Sequence, residues 1–100
     1  MKNFRAWVHT ATVLPDYVSC LSELSCPSCE GRTLDYLYVG DQKSRIGYSL
    51  VWCSSCNKGI QISRLLIPEE IPLDKIVYFD DPKGDSKISS AVPHFKRVHP

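Results

Sequence analysis

Two short turns of sequence, CPSCEG at 26–31 and CSSCNKG at 53–59, take four of the five cysteines in a chain of 100 residues. Two cysteines separated by two residues grip a single metal ion, because the turn aims both sulfurs inward. The same turn directs its backbone N–H groups at the thiolates and offsets their charge. Pro27 fixes φ inside the first turn, and Gly31 and Gly59 are expected to close each turn in the left-handed region. Two such pairs supply four sulfurs, the full shell of a tetrahedral structural site with no position open for a substrate water. Cys26, Cys29, Cys53 and Cys56 are therefore expected to hold one structural Zn2+.

Disulfides are the rival use of cysteine. An odd count of five, two Cys-x-x-Cys pairs and no export signal favour thiolate ligation in a reducing compartment. The N-terminal stretch MKNFRAWVHTATVLPD has no apolar run of signal-peptide length, and no stretch approaches the roughly 20 apolar residues that span a bilayer. The sequence thus reads as a soluble, cytoplasmic protein without a membrane partner. A chain of 100 residues is expected to make one domain, or a smaller core with ordered arms, and buries only about 60–70% of its unfolded surface, so a metal staple would matter to its stability. A hydrophobic content of 43% with 10% aromatics argues against wholesale disorder.

Three segments are expected: residues 1–25, helical or ambiguous; 26–67, carrying the cysteines; and 68–100, a proline-rich arm packed on the same domain. In DYVSCLSEL, Tyr17, Cys20, Leu21 and Leu24 have helical spacing and Asp16 stands ready as a cap, which predicts a two-turn helix. Upstream, Phe4, Trp7, Val8 and Ala11 also fit a helix, but the β-branched residues of VHTATV suit a strand equally. Alternation predicts strands around Leu34–Val39 and Ile46–Trp52, joined by a charged hairpin tip, VGDQKSRIG. A third run, GIQISRLLI, slips phase near Arg64, as a bulge would require. From Pro68 onward five of the seven prolines occur. The only strand-like core there is IVYF at 76–79, with DDPKGDSK expected as an exposed loop.

Knuckle, strand, charged tip, strand, knuckle and third strand, from Cys26 to about Ile67, resemble a four-cysteine zinc ribbon. That resemblance covers some two-fifths of the chain and implies a small metal-stabilised β-rich domain with a three-stranded antiparallel sheet. The stretch YVGDQKSRIGYSLVWCSSCNKGIQISRLLIPEEIP is further similar to short, largely uncharacterised bacterial zinc-ribbon proteins. Ribbon-type transcript-cleavage factors carry an adjacent Asp-Glu pair at the tip. Here the tip reads Asp41-Gln42-Lys43-Ser44-Arg45, so that role is not expected. Rubredoxin-like iron is the chemical rival, since four thiolates also bind iron for electron transfer. Rubredoxins usually present proline and glycine at both knuckles, whereas the second here reads Cys53-Ser54-Ser55-Cys56-Asn57-Lys58.

Charge separates two kinds of partner. The formal net charge is +1, so nucleic-acid binding would need a local patch. Lys43, Arg45, Lys58 and Arg64, near Tyr36, Tyr38, Tyr48 and Trp52, form the candidate patch, with the aromatics as stacking platforms. The plainer reading places those aromatics in the core. Glu69, Glu70, Asp74, Asp80 and Asp81 surround the IVYF strand, which either pairs with a protein partner's sheet edge or covers an edge of its own sheet. Cys20 is expected as a small core residue, and His9, His94 and His99 as residues without a catalytic or metal constellation. The function expected is a non-enzymatic zinc-binding adaptor or regulator docking on a protein partner in transcription, translation or a toxin–antitoxin-like system. Direct nucleic-acid binding is the alternative, and iron electron transfer the remote one.

Overall fold

In the computed structural model, which describes residues 2–99, an α-helix α1 spans Lys2–Val13. The segment that sequence left open is thus helical. Phe4, Trp7, Val8 and Ala11 share one face, and Trp7 is completely buried. Branched residues lose only tenths of a kcal/mol in a helix, whereas deleting a buried Trp side chain costs about 3–5 kcal/mol, so packing decides. The two-turn helix expected after Pro15 does not form. Two 3-10 turns, Leu14–Tyr17 and Leu21–Glu23, stand there instead. Cys20 leaves the helical region at φ −146° and ψ 46° and breaks the run between them, and single turns this short favour 3-10 geometry.

Strands β1 (Leu34–Gly40), β2 (Ile46–Cys53) and β3 (Lys58–Leu66) form an antiparallel meander. At the tip of the first hairpin, Asp41 accepts the backbone N–H groups of Lys43 and Ser44 at 3.0 and 2.7 Å, and Arg45 takes a positive φ of 62°. Gly40 and Gly47 face each other across the last rung, where a Cβ on Gly47 would collide with the backbone of Val39 and Gly40.

The phase slip in the third run is a bulge. Tyr48 pairs with Ser63 and Gly47 with Leu65, so Arg64, at φ 56°, is the unpaired extra residue. Its insertion keeps Ile60, Ile62 and Leu65 packed with the same core cluster. Without it, Leu65 would point to the opposite face.

The sheet is not the three-stranded antiparallel one expected. It has five strands in the order β4-β1-β2-β3-β5, with β4 (Ile76–Tyr78) parallel to β1 and β5 (Lys96–Arg97) parallel to β3. The C-terminal segment therefore contributes a strand to each margin of the meander, where unpaired backbone groups would otherwise stand open. Between those strands, part of the expected DDPKGDSK loop is instead the start of helix α2 (Gly84–Ala91). Asp81 organises its entry: the side chain accepts from the Lys83 N–H at 2.9 Å and pairs with the Lys87 ammonium at 2.6 Å.

Two cores result. On one face α1 packs on Leu34, Tyr36, Tyr38, Val51 and Ile60. On the other, Leu37, Val39, Leu50, Trp52 and Val77 meet Ile88 of α2 and Val92 just beyond its end, and Phe95 stacks on Trp52 with ring centroids 6.0 Å apart and an interplanar angle of 13°. Among the described residues no helix is long and apolar enough to cross a membrane.

Candidate metal centre

The first cysteine knuckle precedes β1, and the second is the β2–β3 turn. The β1–β2 register, which sets Leu34 opposite Cys53, brings the two together. Each knuckle closes in the same way: the N–H of Glu30 donates to the Cys26 carbonyl and that of Asn57 to the Cys53 carbonyl, both at 2.9 Å. The left-handed residues are accordingly Glu30 (φ 63°), one position before Gly31, and Asn57 (φ 56°), two before Gly59, and not the glycines that sequence assigned to the task. Asn tolerates that region well, whereas Glu pays a steric cost there. Gly31 serves close approach instead, since a Cβ would sit 3.3 Å from the Cys29 sulfur.

All four sulfurs lie within 4.8 Å of one another, with Cys26–Cys56 at 3.7 Å and Cys29–Cys53 at 3.6 Å. A metal–sulfur bond of about 2.3 Å in a tetrahedron implies sulfur separations of about 3.8 Å. A disulfide requires about 2.05 Å. The four cysteines are thus spaced to ligate one ion, and none is cross-linked. Cys26 and Cys53 are buried, Cys56 is half-buried and Cys29 is exposed. Such a cluster supplies soft thiolate donors on all four vertices and leaves the ion none for a substrate.

Hydrogen bonds grade the sulfurs. Burial pushes the Cys26 thiol up to about 12 despite donation from the N–H groups of Ser28 and Cys29, at 3.3 and 3.4 Å. Burial acts the same way on Cys53, but there the Thr33 hydroxyl, the N–H groups of Cys56 and Ser55 and the Cys29 thiol outweigh it and bring the thiol down to about 6. Thr33 lies 3.5 Å from the Cys53 sulfur and 2.7 Å from the Ser55 hydroxyl, while its carbonyl accepts the Ser54 N–H at 3.1 Å. Sequence reading passed over Thr33. Its only signal was a hydroxyl residue between the first knuckle and β1. Also missed was Trp7, whose indole N–H donates to the Ser28 hydroxyl at 3.0 Å and ties α1 to the first knuckle. Cys20 stands outside the cluster.

The basic candidates do not converge. Lys58 pairs with Cys53 at the knuckle end of β3, whereas Lys43, Arg45 and Arg64 lie at the tip end of the meander. Arg45 is engaged within the fold, donating to the carbonyls of Ile67 at 3.3 Å and Pro68 at 3.1 Å. Of the proposed stacking aromatics, Tyr36, Tyr38 and Trp52 are core residues. The acidic candidates Glu69, Glu70, Asp74 and Asp80 are exposed, while Asp81 is held by the α2 entry described above. The apolar strand they surround is paired to β1 of its own sheet.

No protein-family model, curated protein or solved structure matches this chain.

Proposed function

We propose that this chain is a zinc-stabilised, non-enzymatic binding module of zinc-ribbon type, acting as a cytoplasmic adaptor or regulator that docks on a protein partner. The four-thiolate set supports a structural ion, with zinc the divalent cation best suited to a closed tetrahedron of sulfurs. The observation that carries the docking reading is the margin of β4, where Leu73 and Phe79 are 75% and 59% exposed and each is followed by an exposed aspartate, Asp74 and Asp80. An aromatic anchor beside carboxylates suits a partner offering an apolar pocket with a basic rim. Glu69 and Glu70 extend the acidic side of that margin, and Asp81 shapes it from within.

The experiment is a pull-down with the tagged chain from native-host lysate, with and without nuclease, compared with a Phe79→Ser/Leu73→Ser variant. Retention of one protein at stoichiometric level after nuclease, lost in the variant, is the expected result. Retention that vanishes with nuclease and with rising salt would transfer the function to nucleic acid and to Lys43, Lys58 and Arg64. Metal analysis of the purified protein checks the ion: zinc gives a colourless one-to-one complex, whereas a red ferric thiolate would make it an electron carrier.

A further inference from the structure

An open groove of about 690 Å3 lies on the second face of the sheet, between α2 and the segment leading into β5. It exists because β3 presents Gly59, Gln61 and Ser63 on that face, opposite Trp52, Leu50 and Tyr48. Phe95 settles over Gly59, where a Cβ would come within 2.7 Å of its ring, and the small or polar side chains beyond leave the sheet uncovered. Its size falls within the roughly 300–1,000 Å3 usual for small-molecule clefts.

The lining has an uneven chemistry. Leu50, Ile88 and Val92 with the rings of Tyr48 and Phe95 make an apolar inner surface, and His94 and Arg97 stand on the β5 side. No acidic residue lines it, and none occurs between Ser86 and His99. Three other cations are held within the fold: Lys75 by Asp35, Lys87 by Asp81 and Arg45 by two carbonyls. By contrast, the side chains of Gln61, Ser89, His94 and Arg97 make no hydrogen bond or ion pair among the described residues. A second hollow of about 260 Å3 adjoins the first, sharing Gln61 and Arg97.

We propose that this groove is a binding site for a small organic phosphate carrying a planar ring, of the mononucleotide class. The ring lies against Tyr48 and Phe95, the Gln61 amide and Ser89 hydroxyl meet its polar edge, and the phosphate is held by the Arg97 guanidinium fork with His94 beside it. One arginine and one histidine match a single phosphate group. A polynucleotide would need a longer basic track than these two residues provide.

The test titrates the 15N-labelled full chain with AMP, adenosine and inorganic phosphate in separate arms, following amide and side-chain resonances. AMP is expected to move Gln61, Ser89 and residues 94–97, with adenosine and phosphate each about tenfold or more weaker, because each carries half of the recognition. Arg97→Ala removes the charge at an exposed position, and Ser89→Trp fills the groove from the exposed side of α2. Each should weaken AMP about tenfold while the thermal unfolding midpoint of the metal-loaded protein stays at that of the parent. The proposal is overturned if AMP binds no better than phosphate, if the shifts fall elsewhere, if both variants bind as the parent does, or if only a single-stranded oligonucleotide binds.

Discussion

The indole N–H of Trp7 donates to the hydroxyl of Ser28 at 3.0 Å, joining the buried centre of the N-terminal helix to the first cysteine knuckle. Trp7 is fully buried. Removing its acceptor therefore leaves a donor without a partner, at a cost of about 1–3 kcal/mol. Ser28→Ala should lower stability by that amount, while Trp7→Phe combined with Ser28→Ala should cost less than the two single changes together. Denaturant unfolding of the four proteins gives the coupling, and strict additivity would show that the bond contributes nothing.

A four-thiolate centre makes metal binding and folding one equilibrium, because an unfolded chain offers no preformed tetrahedron. Cys53→Ser should abolish one-to-one metal stoichiometry and collapse the cooperative thermal transition, and chelation of the parent should do the same. Cys20→Ser should leave the metal content at that of the parent, since this thiol lies outside the cluster. Elemental analysis with parallel melting curves reads both.

Glu30 occupies the left-handed region at φ 63°, where its Cβ is unfavourable by about 1–2 kcal/mol. Glu30→Gly removes that strain but adds chain entropy to the unfolded state, so a net gain of about 0.5–1 kcal/mol is expected. Glu30→Val should instead be destabilising, as a branched side chain fits this region worst. Melting temperatures of the metal-loaded variants decide the point, and a loss of stability in Glu30→Gly would mean that the carboxylate is needed.

Burial, with lesser repulsion from Tyr36 and Glu70, pushes the Tyr38 hydroxyl from 10 up to about 12. The folded state thus holds this proton more tightly than the unfolded one. Its contribution is complete below pH 10 and is lost as pH rises through 12. The difference is on the order of 2 kcal/mol. Stability of the parent should fall across that window, and Tyr38→Phe should flatten the fall. Urea unfolding at stepped alkaline pH measures it, and parallel curves for the two proteins would contradict it.

Sequence pattern reached those features that depend on neighbours along the chain. Four cysteines at fixed spacing, alternation along Leu34–Val39 and Ile46–Trp52, and the broken phase at Arg64 each announce a local geometry. The bulge is legible because strand periodicity is two and one extra residue must invert it. What stayed hidden depends on partners far away. VHTATV is helical because Trp7 finds a core, and β5 consists of two polar residues, Lys96 and Arg97, that carry no strand signal. Arg45 read as a free cation at a wet tip. Only the return of the chain past Ile67 and Pro68 reveals carbonyls placed to receive it. Thr33 was unremarkable until the pairing of β1 with β2 brought it to the Cys53 sulfur.

The placement of β4 and β5 on opposite margins also sets short-range closures against long-range ones. The meander and its cysteine knuckles close over short loops, whereas Tyr38 meets Ile76 and Lys58 meets Lys96 only after 38 further positions of chain in each case. Loop-closure entropy makes the local pieces early and the distant ones late. All four cysteines of the thiolate centre lie ahead of the residues that fence the sheet. The C-terminal third works as a belt across the sheet, and loosening it would bare both margins without removing any of the four sulfurs.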